Sequence, residues 1–549
     1  MSLNFFIFLS FYFIILISIL GYGCLLLSFD KFHKTFFNLG YVGLVGLFLL
    51  VIYSYFSNLF IAHSKPHNLI LILFGFFSFL YFFKKNFRKP KFIKNFYLVL
   101  AVFLILFLSL LIEKNHDDFP YYHFAYTYNL TQESLNFGIG KLNHGFRTPS
   151  SIFYLNSLFY LPLAEYYLFN FSAAFILGFS NIILLEKISN FFENFKMKSM
   201  EIKFSNYLAL LSFIFINIFF YRISEHGTDR SAQILIFLLF IYIFEIFENK
   251  KNEKIDLFFI SILFTLIISL KSFYFLYMLL LIPLFYFLFQ RNKNLSLTLK
   301  LFFTKDYSLY STLLITLILL SYFVNTGCLL YPISFTCFEN FAWSIPIDSV
   351  KKMNDWYELW SKSGANPNYR VSNPEEYIIG LNWLANWINN YFFNKVSDFI
   401  LGLILILLIF WIIIRNFKKK KKKLTINKFS KYLYLILMLI FIEWFLNHPA
   451  LRYGGFSVIA LLIFIPFSFY LNKFNLKYFQ FNQISIVLVC LTILIFEARN
   501  LNRVIKEVKI YNYKPFIETY YKIDKNYFSI QKKIDNLKNE DGPFSKTVF

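Results

Sequence analysis

Apolar blocks recur along this sequence at about 4–28, 41–62, 67–83, 95–112, 166–186, 205–222, 232–247, 256–270, 273–290, 310–324, 398–414, 432–446, 455–471 and 483–496. A helix needs roughly 17–25 such residues to cross about 30 Å of hydrocarbon. A soluble core could not absorb this much apolar surface, because 58% of the 549 residues are hydrophobic and the mean hydropathy is +0.55. In lipid each backbone polar group must be satisfied within its own segment, which selects helices. The expected fold class is therefore an all-α polytopic membrane protein, a bundle of about fourteen transmembrane helices. Lys271-Ser272 divides 256–270 from 273–290, which together are too long for one crossing. Residues 4–28 read as the first span and not as a cleaved signal peptide. They are apolar for too long, lack a basic start and end without a small-residue cleavage motif.

The formal charge of +23 carries no zinc-finger spacing and no soluble basic domain, so it argues for topology and against nucleic acid. With the N-terminus outside, the cytoplasmic loops carry Lys31 and Lys34; Lys84, Lys85, Arg88, Lys89, Lys91 and Lys94; Lys196, Lys198 and Lys203; Lys250, Lys251 and Lys254; Arg291 and Lys293; Arg415 and the run Lys418 to Lys423; and Lys473 and Lys477. The short outside loops carry only Lys65, Arg222, Arg230, Lys271 and Arg452. The lysine run reads as a topology anchor ahead of an anionic-lipid site. The 79 Phe and 39 Tyr read as coding bias ahead of a ligand-stacking surface. One membrane domain is expected over 1–496, with large outer loops at 113–150 and 325–397, followed by an outer-face tail over 497–549.

The outer loops hold the residues suited to chemistry. Asp117 and Asp118 sit where the chain leaves a span. A partly dehydrated carboxylate there can act as a general base on a hydroxyl; equally, the pair can be solvated or cap the helix that Pro120 starts. Residues 152–163 form an apolar run too short to cross, either an interfacial helix beside a lipid-facing groove or a packed one. The turn from Arg222 to Arg230, with Glu225, His226 and Asp229, is dense in charge beside hydrocarbon. Arg222 or Arg230 can hold a phosphate by paired donors, or pair with Glu225 and Asp229. Lys271 and Arg452 either bind an anion or anchor the membrane boundary. His448 shares the turn with Arg452. Cys328 and Cys337 lie in an outer loop and form either a disulfide or a free thiol pair. The Trp, Asn and Tyr of loop 325–397 suit sugar rings, or packing.

Taken in order, these motifs resemble the GT-C superfamily of polyprenyl-phosphate-sugar-dependent glycosyltransferases, related to protein O-mannosyltransferases and lipid A aminoarabinose transferases. Asp118, Tyr122 and His123 fit the Asp-x-x-x-Tyr-His of the first large outer loop. Lys271 is similar to a mid-chain lysine between two short helices. Thr326-Gly327-Cys328-Leu329-Leu330-Tyr331-Pro332 resembles an outer Thr-Gly-Asn-Pro-x-Tyr-Pro loop, and Arg452-Tyr453 a late helix start. Cys328 departs from that pattern, Cys337 is not a general family feature, and Asp117 precedes the motif, so the choice of base between the two acids stays open. The resemblance implies a GT-C-like bundle at the periplasmic face of a bacterial inner membrane. It implies transfer of a sugar from a polyprenyl-phosphate donor to a glycan, lipid or protein acceptor. Asp118 or Asp117 would be the base, with Lys271, Arg230, Arg222 and Arg452 on the donor phosphate and Tyr122, His123, His226 and His448 in support. A divalent metal is compatible with two adjacent acids but not required. The rivals are a polymerase or ligase using a polyprenyl diphosphate, and a transporter or flippase. The last predicts inverted repeats and mid-helix ionisable groups, whereas Glu186, Glu245 and Glu443 fall near helix ends.

Overall fold

The computed structural model describes residues 5–29, 38–188, 202–248, 253–303, 305–365, 371–420, 427–512, 514–517 and 523–540. Lys31, Lys34, Lys196, Lys198, Lys250, Lys251 and the end of the lysine run, 421–423, lie outside them. Four long helices come first: α1 (Phe5–Phe29), α2 (Leu39–Asn58), α3 (Lys65–Asn86) and α4 (Pro90–Phe107). Two short ones follow, α5 (Phe124–Gln132) and α6 (Ser151–Ser157). Then come α7 (Phe171–Ile188), α8 (Phe204–Phe219), α9 (Asp229–Glu248), α10 (Glu253–Leu270), α11 (Leu281–Asn292), α12 (Leu295–Phe302) and α13 (Lys305–Thr326). The 325–397 segment contributes α14 (Ile347–Lys362), α15 (Pro374–Ile378) and α16 (Leu384–Trp387). The chain closes with α17 (Ser397–Ile414), α18 (Lys428–Asn447), α19 (Gly455–Leu471), α20 (Tyr478–Tyr511) and α21 (Ser529–Glu540). Among the described residues eleven helices are long and apolar enough to cross a membrane, and no strand forms, only isolated bridges. The protein is an all-α multi-pass membrane protein.

All fourteen apolar blocks are helical. Three of them, α8, α10 and α19, stand outside those eleven. The core of the bundle is α2, α7, α8 and α9, which are buried almost all round, as an apolar helix surrounded by other helices must be. Close approach replaces the hydrophobic effect as the glue between spans. A Cβ on Gly21 would lie 1.9 Å from the Gly75 carbonyl oxygen, and one on Gly46 2.0 Å from that of Ile19. Only glycine lets α1 press this hard on α2 and α3. Deep between α7 and α8, Asn181 and Asn217 exchange amide hydrogen bonds of 2.9 and 2.8 Å, so neither side chain is left unsatisfied in an apolar setting.

Two expectations change. Residues 152–163 are no interfacial helix: α6 and the turn after it are buried almost throughout, so the packed alternative holds. No break falls at 497 either, because α20 runs unbroken to Tyr511 and carries charged residues beyond the apolar block. Past it, Tyr527 and Phe528 pack edge-on against Phe124, and the Asn129 amide donates to Gln531 Oε1 at 2.9 Å. The C-terminal segment thus folds back onto α5 at the end of the bundle that gathers the acidic loops.

Candidate functional site

Four charged side chains from four distant segments meet at that end. Arg452 is the hub. Its Nη2 donates to Asp118 Oδ2 at 3.0 Å and its Nε to Asp229 Oδ2 at 3.2 Å. The Lys271 ammonium donates to the other oxygen of Asp229. Two carboxylates and two cations thus alternate in a line, Asp118–Arg452–Asp229–Lys271, with formal charges that cancel. Asp229 is the most enclosed, with its side chain 5% exposed. Aromatic rings wall the row: Lys271 Nζ lies 4.2 Å from the Tyr453 ring centre, and the Arg452 guanidinium carbon 5.3 Å from that of Trp360.

Local sequence explains why each member points here. Asp229 opens α9, where an acid complements the positive end of the helix dipole. Lys271 stands in extended backbone between α10 and a 3₁₀ turn over Ser272–Leu280, and Ser150 Oγ caps the freed Leu270 carbonyl at 2.7 Å. Arg452 rides a one-turn 3₁₀ segment between Pro449 and Gly454, whose φ of +101° suits glycine. Three aromatic side chains and a glutamine hold that turn. Trp387 Nε1 donates to the Pro449 carbonyl (2.9 Å), Trp444 Nε1 to that of Ala450 (3.0 Å), and the Leu451 amide donates to Tyr391 Oη (2.9 Å). Gln233 Nε2 donates to the Arg452 carbonyl at 3.2 Å.

Asp118 precedes a π-helical turn, Phe119–His123, and its carbonyl accepts from the amides of Tyr122 and His123 at 3.1 and 3.4 Å. That wide turn stacks the Asp-x-x-x-Tyr-His residues on one side, a use of π geometry common at functional sites. Tyr122 Oη donates to Asp118 Oδ2 at 3.5 Å. His116 Nδ1 accepts from the Asp118 amide at 3.0 Å and lies 3.6 Å from Asp118 Oδ2. His116, Asp118 and His123 each place a ligand atom within 4.8 Å of the others, the grouping here able to hold a metal ion.

Burial alone would raise the Asp118 carboxyl, yet Arg452, His116 and His123 outweigh it and hold it below its ordinary value. Burial, followed by the Arg452 charge, lowers His116; burial, followed by His116, lowers His123. Lys271 is also lowered, by burial first, with Asp229 opposing.

The structure divides the candidate residues. Asp118, Lys271, Arg452, Tyr122 and His123 converge. Asp117 does not: its side chain is 91% exposed and faces Lys114 across 4.0 Å, so of the two acids only Asp118 can work in this site. Arg222 leaves the cluster too, spent on Glu225 (3.3 Å) and the Tyr221 hydroxyl (2.9 Å). Arg230 is adjacent, and its Nη1 is buried without a hydrogen-bond partner. His226 is structural, its Nε2 donating to the Phe220 carbonyl at 2.6 Å, and burial holds its pKa at about 3. His448 packs against the rings of Phe273 and Tyr453 and does not touch the charged row. Cys328 and Cys337 are disulfide-bonded.

Two members were not singled out from sequence. Asp229 reads there only as a partner for neighbouring arginines, although its place at the first turn of an apolar helix is a signal. His116 stands two residues before Asp118, a spacing whose meaning depends on a π turn invisible in the sequence.

Beside the charged row an apolar groove of about 460 Å³ opens between α16, α17, α18 and α19, lined by Trp387, Phe392, Phe441, Trp444, Phe445 and Ile463 among others. Trp387 and Trp444 belong both to this groove and to the clamp on the Arg452 turn.

Neither a curated protein nor a solved structure matches the chain. Residues 5–459, a span that encloses Asp118, Asp229, Lys271 and Arg452, match the family described as Domain of unknown function (DUF8201), and the protein belongs to that family.

Proposed function

We propose that the protein is a membrane glycosyltransferase that moves a sugar from a polyprenyl-phosphate donor to an acceptor hydroxyl at the periplasmic face of a bacterial inner membrane. The observation that carries this reading is the contact of Asp118 with Arg452, which Asp229 couples to Lys271 beside an apolar groove. A lipid-linked phosphate needs that combination: cations for the phosphate and a greasy channel for the chain. The carboxylate serves the acceptor. In the transfer the acceptor oxygen attacks the anomeric carbon, its proton passes to Asp118, and the bond from the anomeric carbon to the phosphate oxygen breaks. The electron pair leaves with the polyprenyl phosphate, facing Arg452 and Lys271, donors already oriented in a partly dehydrated site.

The resting pair explains how donor binding prepares the base. Arg452 holds the Asp118 carboxyl low, so the free site has a charged but weak base. A phosphate that draws on Arg452 brings negative charge near Asp118 and strengthens it as a proton acceptor.

The test is transfer of radiolabelled sugar from synthetic polyprenyl-phosphate hexoses, in nanodiscs holding the purified chain and lipid extract as acceptor. Asp118→Asn is expected to lower the rate by about 10²–10⁴, the usual worth of a general base. Arg452→Gln should lower it by about 10²–10³ through lost charge stabilisation. Near-normal transfer by Asp118→Asn would end the proposal, as would use of polyprenyl diphosphate sugars alone.

A further inference from the structure

We propose that His116, Asp118 and His123 form a binding site for one divalent transition-metal ion of the zinc class. The three lie within a single eight-residue stretch, His-Asp-Asp-Phe-Pro-Tyr-Tyr-His. Two imidazoles and a carboxylate make a donor set suited to zinc or cobalt, and poorly suited to magnesium, which prefers oxygen alone.

The geometry is nearly assembled. Ligand atoms bonded at about 2.0–2.1 Å to one ion lie roughly 3–3.5 Å apart. One ligand atom from each of the three residues falls within 4.8 Å of the other two. The π-helical turn makes this possible by bringing His123 beneath Asp118. Side-chain rotation alone would gather the set.

Each ligand has a lone pair to give. His116 Nδ1 carries no proton; its single lone pair accepts from the Asp118 amide at 3.0 Å, and metal binding would take it over from that amide. His123 is 6% exposed, and its Nε2 is buried without any hydrogen-bond partner. A buried polar atom in that state needs a reason, and a ligand is one. Arg452 and Tyr122 both address Asp118 Oδ2, which leaves Oδ1 for an ion. The two imidazoles stack with ring centres 4.9 Å apart and meet over Gly227. A Cβ there would stand 3.0 Å from His116 Cδ2 and 3.2 Å from His123 Cε1, so a side chain would press the rings apart.

Charge balance says what the ion would do. The row Asp118–Arg452–Asp229–Lys271 is neutral as it stands, so a divalent ion adds a surplus of positive charge next to Arg452. An anionic phosphate would cancel that surplus, and metal and phosphate would favour each other's binding. The ion site itself does not depend on the transfer reaction, and its test uses no sugar donor.

The full-length chain, purified in nanodiscs without a polyhistidine tag, would be stripped with EDTA. It would then be titrated with Zn²⁺, Co²⁺ and Mg²⁺. The expected result is one equivalent of zinc or cobalt retained through desalting, by elemental analysis, with none of magnesium. Cobalt should give visible absorption of nitrogen-ligated, four- or five-coordinate Co²⁺, and zinc should raise the melting temperature. His116→Ala and His123→Ala should each weaken retention at least about 100-fold, whereas His63→Ala, a buried histidine whose ring bonds the Ser57 and Ser157 hydroxyls instead, should keep it. Where an alanine variant fails to fold, His123→Gln with the cobalt spectrum as readout decides the same question. No stoichiometric retention by the parent chain would overturn the site. Retention unchanged in His116→Ala or His123→Gln would overturn it equally.

Discussion

Asp229 is the residue whose loss should be felt most. It compensates Arg452 and Lys271 together from a position almost without solvent. Asp229→Asn keeps the shape and leaves two neighbouring cations with one carboxylate. Breaking an enclosed pair in this way costs about 3–5 kcal/mol, so the expected outcome is a clear fall in Tm in detergent. Asp117→Asn should leave Tm and transfer unchanged, because that side chain stands in solvent. Lys271 carries a pH signature. Burial lowers its ammonium, with Asp229 opposing, and the charged form disappears as pH rises through that lowered value. Transfer should therefore fall on the alkaline side below about pH 10.4, the ordinary lysine value, in a pH–rate profile of the parent chain. At this scale the sequence was partly legible. Asp118, Lys271 and Arg452 stand out because charge at the rim of an apolar block is costly and therefore informative. Asp117 and Asp118 could not be separated, since neighbours in a chain differ in exposure only once the turn after them is known.

Among the elements, α20 does more than cross. Its last turns reach the acidic loops: Glu507 accepts from the amides of Glu113 and Lys114 at 2.7 and 3.3 Å, and Arg503 pairs with Glu225 at 2.6 Å. One helix thereby tethers the segment leading to Asp118 and the turn leading to Asp229. Glu507→Ala removes a charged acceptor from two amides and should cost about 1.5–3 kcal/mol. Glu507→Gln, which keeps an acceptor, should cost less; Tm of both variants checks the order. Truncation after Tyr511 strips Tyr527 and Phe528 from Phe124, and hydrogen exchange over residues 119–132 should quicken. The spans were legible, since every apolar block is helical, whereas the short helices between them, α5, α12, α14, α15 and α16, lack an apolar run long enough to announce them. The reach of α20 was not legible either. Its end is held by partners some 390 residues away in sequence, such as Glu113, and nothing local in Arg503 or Glu507 announces them.

For the whole molecule, the alternating Lys and Arg bias sets one end of the bundle against the other, and the charged row gathers at one of them. A single cysteine at Gln132 is expected to react with an impermeant maleimide on intact cells, and one at Lys418 only after lysis. The reverse pattern would invert the topology. The row also has a history. Arg452 is 334 residues downstream of Asp118 and 223 downstream of Asp229. At about 5–20 residues per second of synthesis, Asp118 waits roughly 17–67 s for its partner after it is made. Once Lys271 has been made and until Arg452 follows, Asp118, Asp229 and Lys271 share one surplus negative charge. A ribosome stalled before codon 452 would hold a nascent chain whose helices have inserted but whose site is still missing its hub. Membrane quality control would meet that chain as an open acidic seam, and translation past Arg452 is the event that closes it.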